Sequence, residues 1–309
     1  MILDKIFQSI LNIYPTENIA NNKFTRFLFK IFYLVFRKFT TGPFILRTKF
    51  FNIFAFTSKN ESSSIYFRGF HDLKMVEFCQ KIYKKNDFNL FFDVGANVGN
   101  NTLSFLNYYK NSQVYSFEPV PKYFKQLTKN VALNNSKNSK LYNLAISDNN
   151  NYKPFYVDNL NPGSSSLIKK GISYHGKLQK IKKKLRKISI KTKKIDDFYK
   201  NIPSNIKSFL IKIDVEGNES NVLNGAFRVL NKYKPDLIIE LEERNFQKNR
   251  HNLNHNLLNL KKLKYNLFNL DGKKLSFDIE LLKINKLLSN KIHFHNDYFF
   301  STKKVINLI

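Results

Sequence analysis

The chain has 309 residues, 42% of them hydrophobic, enough for one large α/β domain with additions or for two small ones. Its net charge of +29 ordinarily points to nucleic acid or an anionic membrane surface. Heavy use of Lys, Asn, Ile, Phe and Tyr, with no Trp, is also how drift in A- and T-rich coding sequence reads, so charge alone names no partner. One cysteine, Cys79, excludes an internal disulfide and a cysteine-based zinc cluster, and fits a reducing compartment.

Residues 1–65 form an aromatic, basic N-terminal extension expected to be helical. Asp4 and Lys5 interrupt the start, so no secretory signal is expected and the location is read as cytoplasmic. Phe24, Phe27, Leu28, Ile31, Leu34 and Val35 recur at helical spacing. The run Phe27 to Phe36 holds Lys30 and falls short of the ~20 residues that span a bilayer. Two readings stay open: a helical layer packed on the main domain, or a helix lying on an anionic membrane surface with Lys30, Arg37, Lys38 and Arg47 near the head groups.

From residue 72 helix and strand patterns alternate, which implies a mainly parallel sheet covered on both faces. Asp72 is placed to cap a helix running to Tyr83. Strands are expected at 89–94, 113–118, 141–146, 209–214 and 237–241, with a closing strand at 294–302. Helices are expected at about 99–109, from Pro121, and across Val222, Leu223, Ala226 and Leu230. An insertion at 150–206 carries a Pro-Gly-Ser turn (161–167) and the basic run 177–194, read as a solvated helix or hairpin. Asp271-Gly272 is a hairpin turn signal.

The most informative stretch is DVGANVGNNT, residues 93–102, between an apolar strand and a helix. Ligands of open α/β sheets bind beyond the carboxyl ends of the strands, here marked by Asp93, Glu118, Asp148 and Asp214. Gly95 and Gly99 would let backbone approach a ligand closely. A dinucleotide fits poorly: Asn97 stands where the Gly-x-Gly-x-x-Gly fingerprint has its second glycine. Asp93 near a pyrophosphate at ~4 Å would cost roughly 4 kcal/mol at an effective dielectric near 20. S-adenosylmethionine has no phosphate and carries an ammonium and a sulfonium, which suit acidic strand ends. Glu118 follows Gly99 by 19 residues (118 − 99), the usual place of a carboxylate that accepts from ribose hydroxyls. Helix capping is the competing role for Asp93.

Together, DVGANVGNNT, FEPVPKYFKQLTKN (117–130), LAISD (144–148), SSSL (164–167), IKIDVEGNESNVLNGA (211–226) and PDLIIELEE (235–243) resemble the FkbM family of S-adenosylmethionine-dependent methyltransferases. The resemblance spans roughly 66 to 243 within a methyltransferase domain set at 66–309. It implies an α/β, Rossmann-like class I methyltransferase fold: a seven-stranded, mostly parallel sheet whose last strand is antiparallel and inserted between the last parallel ones, with helices on both faces. It also implies O-methylation of a sugar, glycan or small natural product. By the same resemblance Asp93, Gly95, Asn97 and Gly99 cradle the methionine part, Glu118 the ribose, Asp148 lies near the adenine amine, and Asp214 faces the methyl group.

Transfer from sulfonium to oxygen needs alignment, able to contribute ~7–11 kcal/mol, and a base that takes the hydroxyl proton. Asp214, Glu216 and Glu240 are the candidate bases. Asp214 and Glu216 would share a face if the strand continued, unless the Gly217 turn breaks it. Paired carboxylates binding a divalent metal, and a helix-start role for Glu216, are the alternatives weighed; no metal is assigned. His71, His175 and Ser164 to Ser166 are lesser candidates near the site. The expected partner is a small-molecule or glycan acceptor. Nucleic acid is disfavoured because no Asn/Asp-Pro-Pro-Tyr/Phe element is present, and a non-catalytic protein of this fold at a membrane surface is the remaining reading.

Overall fold

The computed structural model describes residues 2–13, 22–36, 38–40, 42–48, 51–55, 72–158, 165–167, 185–289 and 295–303. The extension forms helices α1 (Ile2–Ile13) and α2 (Lys23–Phe36) and then an antiparallel hairpin, β1 (Phe44–Arg47) with β2 (Asn52–Ala55). The expected helical extension is therefore part sheet; β1 and β2 alternate buried and exposed residues at period two, too short to register as a signal beside the surrounding apolar residues.

The main sheet has eight strands. Helix α3 (Leu73–Ile82) leads to β3 (Leu90–Val94), α4 (Asn100–Tyr108), β4 (Gln113–Phe117), α5 (Pro121–Leu133) and β5 (Ser139–Tyr142). After the insertion come β9 (Phe209–Ile213), α6 (Glu219–Asn224), α7 (Phe227–Tyr233), β10 (Asp236–Glu242), α8 (Glu243–Lys262), β11 (Asn266–Asn269), β12 (Lys274–Leu275), α9 (Phe277–Ser289) and β13 (His295–Ser301). The order is β12-β11-β13-β10-β9-β3-β4-β5. Strands β10, β9, β3, β4 and β5 pair in parallel. The last strand, β13, runs antiparallel between β10 and β11, as the resemblance implies. Two-residue β12, across the Asp271-Gly272 turn, makes an eighth strand where seven were expected.

Every residue of β3 and β9 is buried, so both faces are covered and the strands read as continuous apolar runs. Phe91, Val114, Leu210, Ile238 and Phe299 face a core shared with α3, α4 and the N-terminal extension. Phe92, Phe117, Ile211, Ile239 and Phe300 face one built with α6, α7 and α8. Helix α5 binds the hairpin through side chains: Asn130 Oδ1 accepts from the Phe54 N–H (2.9 Å), Asn134 Oδ1 accepts from the Asn52 N–H (2.9 Å), and Gln126 Nε2 donates to the Phe54 carbonyl (3.0 Å). These amides do for one edge of β2 what a neighbouring strand would do.

Two expectations need correction. The strand expected at 141–146 is split. β5 ends at Tyr142, the Asn143 side chain donates to the Glu118 carbonyl (2.9 Å), and β6 (Ala145–Ile146) joins a different sheet beside β8 (Leu185–Lys193). The helix expected after β9 breaks at Gly225, where a Cβ would lie 2.1 Å from the Ser147 carbonyl oxygen; Asp196 then accepts from the Arg228 and Val229 N–H groups at the start of α7 (both 2.9 Å). Of the two readings of the basic run, the described part is the hairpin. β8 pairs antiparallel with β7 (Tyr152–Asp158), Lys187 and Lys191 facing water; residues 177–184 lie outside the described residues.

Candidate active site

The glycine turn sits where β3 gives way to α4. Gly95 and Ala96 N–H groups both donate to the Phe117 carbonyl (3.0 Å), which holds the turn against the end of β4. Gly95, Asn97 and Gly99 all have left-handed backbone, with φ of 93°, 50° and 98°. The glycines have a packing role that the sequence did not indicate. A Cβ on Gly95 would stand 1.9 Å from the Asp214 carbonyl oxygen, and one on Gly99 would stand 2.5 Å from Leu127 Cδ1. Both glycines therefore let the turn close on β9 and α5. Asn130 secures it from the other side, its Nδ2 donating to the Val98 carbonyl (2.7 Å).

Asp93 is fully buried. Its Oδ2 accepts from the Thr102 N–H (3.0 Å) and hydroxyl (2.6 Å), so one oxygen does tie the first turn of α4 to β3. Its Oδ1 has no hydrogen-bond partner. Burial lifts its pKa to about 6, against the lowering effects of Lys212 and Thr102. Glu118 is also buried; its carboxylate accepts from the Asn97 N–H (2.9 Å) and the Val120 N–H (2.7 Å). Burial carries it to about 8, with Asp93 and Asp214 adding repulsion.

A buried lysine that sequence reasoning passed over stands among these acids. Lys212 of β9, 3% exposed, is the register partner of Asp93 on β3. Its Nζ donates to Asp214 Oδ2 at 2.8 Å and lies 4.0 Å from Asp72 Oδ2. Desolvation works against its charge, but Asp214, Asp72, Glu240 and Asp93 outweigh that and push its pKa well up. The signal was a lone lysine inside FLIKI, an otherwise apolar strand. Asp72 does not cap α3 with its side chain; its carboxylate accepts from Asn101 Nδ2 (2.6 Å), bridging the starts of α3 and α4.

Beyond β9 the chain turns sharply. Glu216 has φ 58° and Gly217 φ 104°, so Asp214 and Glu216 do not continue a strand face; the turn breaks it. The Ser166 hydroxyl donates to the Glu216 carbonyl (2.6 Å), which places that part of the serine turn over the site loop. Glu240 is raised well above the ordinary carboxylate range by burial first, then by Asp214, with Glu216 and Asp297 adding repulsion. Glu219, also missed, is buried with Oε2 unpartnered and Oε1 accepting from the Gly217 N–H (3.0 Å); burial raises it to about 7. Asp148 stands apart, paired with Lys153 Nζ (2.8 Å) and the Ser147 hydroxyl (3.1 Å). Burial pushes its pKa up, but those partners prevail and hold it below the usual value. His71, His175 and Ser164 lie outside the described residues. Among the described residues no group of three or more His, Cys, Asp or Glu side chains is disposed to hold a metal ion.

The methyltransferase FkbM domain model matches residues 93–267, more than half of the chain. The chain belongs to this family. It is 26% identical over 164 residues to Methyltransferase 1 of Beauveria bassiana, covering 50% of this chain and 65% of that protein. It is 28% identical over 188 residues to methyltransferase sdnD of Sordaria araneosa, covering 55% and 70%. Among solved structures it is similar to methyltransferase FkbM from Methylobacillus flagellatus KT, with TM-score 0.44 and 15% identity over 77% of this chain and 52% of that one. It thus spans less than two thirds of its first curated relative, 65%, and about half of that structure, 52%.

Proposed function

We propose that this FkbM-family chain transfers a methyl group from S-adenosylmethionine to a hydroxyl of a sugar, glycan or small natural product. The observation that carries this reading is the buried Asp93 with an oxygen left unpartnered at the end of the glycine turn. A buried, unpaired carboxylate oxygen is costly unless a ligand supplies a cation or donor. The acids gathered at this strand end repel phosphate and receive an ammonium or sulfonium.

Asp93 and the turn Gly95–Gly99 would hold the methionine end and Glu118 the ribose. Asp148 is the proposed contact for the adenine amine, with Lys153 already fixing its carboxylate. When bound, S-adenosylmethionine supplies an electrophilic methyl group. The chain's part is to hold the acceptor oxygen in line and remove its proton. Of the three candidate bases, we assign Glu240 to take the proton. Burial and the nearby Asp214 raise its affinity for a proton above that of an ordinary carboxylate, which suits a group that takes the hydroxyl proton. Asp214, fixed by Lys212, orients the acceptor, and Glu216 closes the loop beside it.

The test is transfer of labelled methyl from S-adenosylmethionine to a panel of sugars, glycans and hydroxylated natural products. Labelled O-methyl product, with kcat cut by ~10²-fold or more in Glu240→Gln while cofactor affinity is kept, supports the proposal. Cofactor binding with no turnover on any acceptor would favour a non-catalytic protein of this fold, and product on RNA or DNA would move the acceptor class.

A further inference from the structure

Helix α2 carries the largest group of exposed apolar side chains among the described residues. Its inner side packs Phe29 and Tyr33, with Phe32 and Phe36 half-buried against Phe7. A helix packed by one side ordinarily turns polar residues to water. Here Phe24, Phe27, Leu28, Ile31, Leu34 and Val35 are between 41% and 70% exposed. At 3.6 residues per turn these six fall within one arc of about 120°. Lys23, Arg26 and Lys30, all exposed, lie together along one border of that arc, and α2 has no acidic residue. Ile2, Leu3 and Ile6 of α1 form a smaller exposed apolar group, and Ile279 and Leu282 a pair on α9, while Phe227 and Tyr152 stand singly.

We infer that the outer face of α2 docks on an anionic lipid bilayer, lying flat in the interface with its apolar side chains among the acyl chains. The occupant follows from chemistry and charge. An apolar face bordered by cations is what a helix in the plane of a membrane presents, since the side chains enter the hydrocarbon boundary while the lysines reach the head groups. Among the described residues no helix is long and apolar enough to cross a membrane, and Lys30 sits midway along the 14 residues of α2, so the fit is to the surface. A second copy would bring its own cations to the same rim, whereas an anionic bilayer supplies counter-charge across the whole face. The chain's net charge of +29 adds attraction at longer range. The sequence left a packed layer and a membrane helix as alternatives; α2 has a side for each. This inference does not depend on the methyl-transfer reading.

The experiment is co-sedimentation of the full chain with vesicles of phosphatidylcholine alone and of phosphatidylcholine with roughly 30% phosphatidylserine. Binding should be at least about tenfold stronger to the anionic vesicles and should weaken as salt is raised. Phe27→Ser with Ile31→Ser should cut it at least about tenfold while the thermal melt is unchanged. Lys23→Glu with Lys30→Glu should abolish the preference for anionic lipid, at about fivefold per cation removed. The inference is overturned if the wild type binds neither vesicle or binds both equally. It is equally overturned if sedimentation equilibrium shows a dimer that Phe27→Ser with Ile31→Ser dissociates, since a second copy then covers the face.

Discussion

Two regions of this molecule invert the usual distribution of polar and apolar groups, in opposite directions. At the carboxyl end of the parallel strands, Asp93, Glu118, Glu219 and Lys212 are taken inside. On the outer face of α2, Phe24, Phe27 and their neighbours are put outside. Buried charge must be paired and exposed apolar area must be covered, or each costs stability or solubility. In the first region the protein supplies part of the compensation, through Lys212 and the N–H groups of Asn97, Val120 and Thr102, and leaves one Asp93 oxygen for something else. In the second, none of the described residues covers the outer face. We propose that each inversion marks a contact with a partner, whose chemistry follows from what is left uncompensated.

The largest expected effect tests the packing role of Gly95. Gly95→Ala, with φ 93° and a Cβ 1.9 Å from a backbone oxygen, should destabilise by about 4 kcal/mol or more, or prevent folding; a denaturation midpoint unchanged from wild type would return the turn to a purely ligand-binding role. Next, Lys212→Met should cost about 3–5 kcal/mol in chemical denaturation, because it strands Asp214, Asp93 and Glu240 without their buried cation.

A third effect is in pH. Asp93, Glu219 and Glu118 have folded values of about 6, 7 and 8, above their unfolded ones, so the folded state binds these protons more tightly. Their contribution is fully present below about pH 4 and is lost as pH rises through the three folded values. The ligand-free protein should therefore lose Tm as pH rises from about 5 to 8, and a bound cation beside Asp93 should flatten the curve at its acid end. A ligand-free Tm that climbs across this range would contradict the buried-acid account. Smallest is the outer face of α2: Phe27→Ser with Ile31→Ser should shift stability by about 0.5 kcal/mol or less in solution, however large its effect on vesicle binding. A larger loss would mean that the face is packed, not exposed.

The same contrast explains what was legible beforehand. The order of parallel strands and helices, the antiparallel β13 and the acidic strand ends could be read because period, turn chemistry and the resemblance agree there. The Asp271-Gly272 hairpin was legible from its turn residues alone. Lys212 lies inside a strand rather than at its end, and its partners are Asp214, two residues on, and Asp72, from the distant start of α3. The task of Gly95 depends on an oxygen about 120 residues further on, at Asp214, which no local pattern encodes. The split at Asn143 likewise depends on a bond back to Glu118. For α2 the spacing was plain, but which side faces the protein depends on Phe7 and the hairpin, elements distant in sequence from the motif set.

The central claim is that the uncompensated oxygen of Asp93 is there for a cationic cofactor. Titration calorimetry of S-adenosylmethionine into wild type and Asp93→Asn tests it most directly. The asparagine keeps an oxygen to accept from Thr102 and replaces the charged, unpartnered oxygen with a neutral NH2 group. The account expects wild-type binding and a loss of about 100-fold or more in the variant. Folded wild type that binds no S-adenosylmethionine, or a variant that binds it equally well, would contradict it.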